Sequence, residues 1–334
     1  MDKKVYKFEI SAKTILFTIA VLLLLKLLWI VQELIFSFLI AFIVMSALNP
    51  LVSLLERKRI PRGLSAFVIF IGLITGIGYV FSWIIPPLVD ETTHLFKNIP
   101  DYVRTLNKTF NLDLQTDLVA RSIPNLTSNT LNFARNLLSN IIFVISTIFF
   151  SFYFLVEQNI IRKFLLHFFE KAKAQEVSEI FDKVEKRMRA WFWGQLILMF
   201  IIGLATFIGL SLLGVRYVLP LAIIAGLLEI APVVGPILSA IPAFIVALSD
   251  SYFSGMAVLV LYFIIQQLEN QVVVPQVMKR AVGLMPIATL AALIIGGKIA
   301  GFVGILLAIP TTLFIETILV EIAKNRHAHE KHSS

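Results

Sequence analysis

Two glutamates interrupt apolar sequence in the second half of this chain. Glu229 lies between Leu228 and Ile230, just before the break Pro232-Val-Val-Gly235-Pro236. Glu269 stands among Gln266, Gln267, Asn270 and Gln271, the dense amide cluster of that half. A carboxyl at membrane depth is expensive and is by default a functional group. Such a group can bind a cation, carry a proton or hydrogen-bond a polar solute. Lys298, at a second break further along, is the natural counter-charge, and Glu316 is a lesser candidate. Plainer readings stand beside these. Lys279 and Arg280 place water near Glu269, and a hairpin tip bearing Lys298 can itself reach water.

Enzyme chemistry finds little support. His94 and His167 fall in loops, while His327, His329 and His332 fall in a polar tail that reads as solvated. There is no HExxH, no Gly-x-Ser-x-Gly and no phosphate-binding glycine loop. With no cysteine in the chain, disulfides, thiol catalysis and thiolate metal sites are excluded. No cofactor or metal is expected. Without a nucleotide-binding loop, work must come from an ion gradient, or the protein is a passive pore.

The elements that must hold these residues are membrane spans. Of 334 residues, 58% are apolar and 15% charged, whereas soluble domains run to about 45–50% and about 25%. Apolar runs at 14–31, 34–55, 64–88, 137–156 and 191–213 each suit a bilayer that needs ~20 residues per helix. The first run lacks a cleavage site and reads as a retained helix. Only Gln32 and Glu33 separate it from the second, which predicts a tight helical hairpin. The loop at 57–62 holds four basic residues and the segment 162–189 holds eight, against four in 90–132. The positive-inside rule therefore places the N-terminus and 157–190 in the cytoplasm and 90–132 outside. The net charge of +8 follows from those loops and needs no nucleic-acid partner. Ile99, Tyr102, Val103, Leu106 and Phe110 outside, and Val177, Ile180, Phe181, Val184, Met188 and Trp191 inside, recur at helical spacing. They predict amphipathic helices on the membrane surface or against the bundle.

Beyond residue 213 the apolar segments are short and broken. Residues 230–235 read IAPVVG and 299–304 read IAGFVG; residues 237–242 read ILSAIP and 305–310 read ILLAIP. The pairs lie 69 (230 to 299) and 68 (237 to 305) residues apart, in the same order. The alternation of spans brings the two broken regions in from opposite sides, as an inverted repeat requires, and such interruptions mark transport sites. The breaks are Pro232, Gly235, Pro236, Pro275, Gly301, Gly304 and Pro310. The alternative is a pair of ordinary kinked helices. The expected architecture is one all-α membrane domain of 1–334, with about eight segments. Residues 14–156 form the N-terminal spans, 191–322 a core with two re-entrant hairpins, and 323–334 a polar tail.

The stretches EIAPVVGPILSAIPAFIVAL (229–248), QQLENQVVVPQVM (266–278) and VGLMPIATLAALIIGGKIAGFVGILLAIP (282–310) closely resemble the autoinducer-2 exporter family, also called PerM-like. The resemblance covers nearly all of 1–322. It implies a bacterial inner-membrane protein with cytoplasmic termini, forming homo-oligomers in the lipid bilayer. Members export autoinducer-2 or exchange sodium or lithium for protons. The family often has a glycine after VVPxxM, where this chain has Lys279 and Arg280. The resulting expectation is a secondary transporter for a small polar solute, with a Na+/H+ antiporter as the alternative. A passive channel and a non-transporting membrane scaffold rank lower.

Overall fold

The computed structural model describes residues 12–110, 141–157, 160–232, 234–278 and 286–333. Every regular element among them is helical. In lipid, an exposed backbone group has no water to bond, and the helix satisfies each one internally. The order is α1 (Ala12–Ile30), α2 (Gln32–Arg57), α3 (Arg62–Phe110), α4 (Ile141–Val156), α5 (Ile160–Phe168), α6 (Lys171–Leu212), α7 (Val218–Leu228), α8 (Val234–Asp250) and α9 (Tyr252–Leu268). A π-helical turn (Glu269–Val273), the short α10 (Val274–Val277) and α11 (Pro286–Ser333) complete it. Five of these helical stretches are long and apolar enough to cross a membrane.

Two apolar cores organise the helices. One joins α2, α4, α6 and α11 through Val52, Leu155, Met188 and Leu313, all fully buried. Stacked Phe38 and Phe150, 4.4 Å between centroids, fasten α4 to α2. The second core gathers Leu210, Leu221, Val246 and Val258 from α6, α7, α8 and α9. Within it, α6 and α7 touch backbone to backbone: a Cβ on Gly226 would sit 2.8 Å from the carbonyl oxygen of Met199. Small residues permit that approach.

At the end of the bundle rich in basic residues, polar bonds replace apolar packing. Arg62 donates to Glu56 at 2.8 Å, to Asn49 at 3.0 Å and to the carbonyl of Val156 at 3.1 Å. Asn49 donates in turn to Glu185 at 2.8 Å, and Arg189 of α6 donates to the carbonyl of Ser46 at 2.9 Å. Lys183 pairs with Glu321 at 2.6 Å and Arg187 with Glu316 at 2.9 Å, tying α6 to α11.

Three expectations change. First, α1 does not fold back along α2. Val31 has φ −94° and ψ 9°, and the bonds Val31 N–H to Leu27 O and Ile35 N–H to Val31 O, both 3.0 Å, carry the helical ladder through the junction. Gln32 and Glu33 supply neither glycine nor proline to reverse the chain, so the junction is a bend. Second, the amphipathic segment after the third span is no separate surface helix up to Phe110. It continues the span as α3, whose 49 residues extend about 74 Å against an apolar core ~30 Å thick. Third, the inner amphipathic segment packs against the bundle, with Val184, Met188 and Trp191 in the first core, but it is no separate helix: it runs without a break into the fifth span as the 42-residue α6. No proline lies in that stretch, so the ladder propagates through the change from amphipathic to apolar periodicity. The remainder of 90–132, the start of the fourth run, Lys279 and Arg280 lie outside the described residues.

Candidate functional site

The first hairpin starts from a left-handed residue, Tyr217 (φ 58°), whose hydroxyl accepts a hydrogen bond from Asn98 of α3 at 2.7 Å. Helix α7 ends at Leu228 with Glu229 as its cap, the chain turns at 229–232, and α8 begins at Val234. The reversal is tight. A Cβ on Gly235 would lie 2.0 Å from the carbonyl oxygen of Leu228, so only glycine fits against the end of α7. The last carbonyls of a helix have no partner of their own. Here Gln195 of α6, buried to 3% exposure, donates to the carbonyl of Glu229 at 3.0 Å. Tyr262 of α9 donates to the carbonyl of Ser239 at 3.3 Å, joining α9 to α8.

Glu269 opens the π-helical turn, where the Val274 N–H bonds back five residues to the Glu269 carbonyl. Pro275 accounts for the widened turn. Its ring has no N–H for Gln271 and clashes with that carbonyl, so the preceding ladder slips by one residue. Gln266 donates to Oε2 of Glu269 at 3.2 Å.

These features bring the two glutamates together across 40 positions (229 to 269). Glu229 is 1% exposed and Glu269 3%, and the two carboxyls are close neighbours. Oε2 of Glu229 is buried and has no hydrogen-bond partner among the described residues. Neither glutamate makes an ion pair among those residues. Two acceptor-only carboxylates repel. The contact is favourable only with a proton or a small cation between them, and the proton belongs to the pair as a unit.

The other candidates are distributed differently. Gln266 belongs to the pair; Asn270, Gln267 and Gln271 are exposed. Pro232 and Pro236 are half-buried at the first turn, and Pro275 is exposed. The second hairpin is made within α11, which reverses at Ala300 (φ −137°, ψ 21°) and Gly301 (φ 56°, ψ −129°). Its two arms meet at glycines: a Cβ on Gly304 would lie 1.8 Å from the carbonyl oxygen of Gly296. Pro310 is buried in the second arm, at the place Pro242 takes in α8. Lys298 is exposed near the turn and makes no ion pair with either glutamate among the described residues. Glu316 faces Arg187 at the basic end. Sequence reasoning passed over Gln195, although a single amide between Gly194 and Leu196 in an apolar run was a usable signal.

Residues 16–324 match the family model described as AI-2E family transporter. The chain belongs to the AI-2E transporter family. It is 28% identical to YueF of Bacillus subtilis (strain 168), over 88% of this chain and 85% of YueF. YrrI of the same organism is 25% identical over 94% and 95% of the two chains. The AI-2 transport protein TqsA of Escherichia coli (strain K12) is 24% identical over 87% of each. Within an AI-2E family member, then, the buried carboxyl pair sits where a broken helix meets a π-helical turn.

Proposed function

We propose that this chain is a secondary transporter that exports a small polar solute, with the Glu229–Glu269 pair as its coupling site. The observation that carries the proposal is the meeting of two buried carboxyls at the tip of a folded-back helix, with no ion-pair partner among the described residues. Binding of a proton or cation removes the repulsion within the pair, and its release restores it. Site occupancy is thereby linked to how the hairpin packs against α9. The carbonyl end of α7 points into the same place, and helix C-terminal ends favour cations. Autoinducer-2 is the solute of choice because the relative TqsA bears that name.

A second reading is exchange of sodium or lithium for protons. The carboxyl pair favours it, since such exchange requires no organic solute at all. In either case the basic end faces the cytoplasm, the protein lies in the bacterial inner membrane as a homo-oligomer, and the hairpins enter as re-entrant elements from opposite faces. Transport in proteoliposomes under an imposed pH gradient, with sodium, lithium and autoinducer-2 compared, is the decisive experiment. Failure to move any of the three would remove the proposal. Single cysteines at Asn107 and Gln175 of this cysteine-free chain should label from opposite sides; labelling from one side overturns the orientation.

A further inference from the structure

A groove of about 850 Å³ opens along the middle of α6, beside α10. Lys186, Arg187 and Arg189 line it, with Trp193 and Ile197 further along the same helix and Gln276 and Val277 contributed by α10. From Lys186 to Ile197 the helix rises about 16 Å, and over that length the wall passes from cationic to apolar. Two of the cations are held in place. Arg187 donates to Thr317 at 2.9 Å and pairs with Glu316, while Arg189 pairs with Glu185 at 2.5 Å. Those carboxylates offset two of the three charges. Lys186 is exposed and makes no ion pair among the described residues, so one positive charge is left to the groove. Neither Glu229, Glu269 nor Gln195 lines it, which separates it from the coupling site.

We propose that this groove binds an anionic phospholipid of the adjoining leaflet. The phosphate lies against Lys186 and the anchored guanidiniums, whose remaining N–H groups suit phosphate oxygens. The first methylenes of an acyl chain run along Trp193, Ile197 and Val277. Charge complementarity and the order of polarity along the wall match a phospholipid from headgroup to tail, and basic pockets between membrane helices hold anionic headgroups. A tryptophan exposed at the lip suits the interface between headgroup and hydrocarbon.

Native mass spectrometry of the intact protein in detergent tests this, with phosphatidylglycerol, phosphatidylcholine and glycerol 3-phosphate as probes. Phosphatidylglycerol should be retained about fivefold better than phosphatidylcholine, and Lys186→Gln should erase most of that preference. Ile197→Ser, at another exposed position, should lower retention of both lipids while leaving the preference intact. Equal retention of the two lipids, or an unchanged preference in Lys186→Gln, overturns the proposal. Displacement of phosphatidylglycerol by an equal concentration of glycerol 3-phosphate also overturns it, by assigning the site to a free phosphate.

Discussion

In the first hairpin, the block at 230–235 ends on a buried glycine pressed against the carbonyl of Leu228; in the second, the block at 299–304 ends on a buried glycine pressed against that of Gly296. Both returning helices carry a proline, Pro242 and Pro310. The backbone device is therefore the same. What differs is the polar group at each turn. Glu229 is buried, its carbonyl bound by Gln195 and its carboxyl against Glu269, whereas Lys298 is exposed. A repeated backbone reversal needs only small residues at the crossing. Chemistry requires partners from other helices, and among the described residues only the turn of the first hairpin brings them to an ionisable side chain.

The largest effect should come from removing charge in the pair. Glu269→Gln keeps shape but cannot titrate, and transport should fall at least about tenfold or lose its dependence on pH, with the protein still folded. Glu229→Gln should do the same if both carboxyls hold the coupling ion. Normal, pH-dependent flux through a folded Glu269→Gln protein in proteoliposomes would dissolve the contrast between the hairpins. Next come the crossings. Gly304→Leu and Gly235→Leu place atoms within 2.0 Å of a backbone carbonyl. Each should cost about 1–3 kcal/mol or more, seen as a lower Tm and lost transport. Gly78→Leu, with nothing within 4 Å of its Cβ, should leave both near the parent level. Greater damage from Gly78→Leu would mean that the hairpins are not the working elements.

Gln195→Leu is an intermediate case. It strands the buried carbonyl of Glu229, at about 1–3 kcal/mol, and should slow transport while sparing its pH dependence. Transport unchanged by Gln195→Leu would show that the hairpin tip holds without its anchor. The smallest effect is expected at Lys298. Transport by Lys298→Gln should stay within about twofold of the parent, as for an exposed charge. A loss as large as that of Glu269→Gln would place a coupling charge in the second hairpin and erase the asymmetry.

Much of this architecture was readable in the sequence, for a simple reason. Apolar runs such as 34–55 and 191–213 must be helical in lipid, and glycine with proline at 232–236 and glycines at 296–304 must interrupt them. Ionisable residues in such runs announce themselves one at a time, as Glu229 and Glu269 did. Their contact is tertiary, set by how α7 meets α9, and no local periodicity encodes it. The same holds for the anchor from Gln195. Periodicity also misled where it changes inside one helix. Residues 171–190 read as amphipathic and 191–212 as apolar because water gives way to hydrocarbon there, not because the helix stops. The bend at Val31 was misread because a two-residue polar gap resembles a turn when no glycine or proline is demanded of it.

The π-helical turn at Glu269–Val273 has a rotational consequence. It accommodates one residue more than an α-turn over the same rise, so it acts as a phase shift between α9 and the short helix after it. If that extra residue were absorbed into a regular ladder, everything beyond it would swing by about 100° about the axis. Glu269 lies at the pivot, so the swing would change which neighbours the following segment presents to the bundle. A single misplaced hydrogen bond in one turn thus sets the azimuth of all that follows up to Met278.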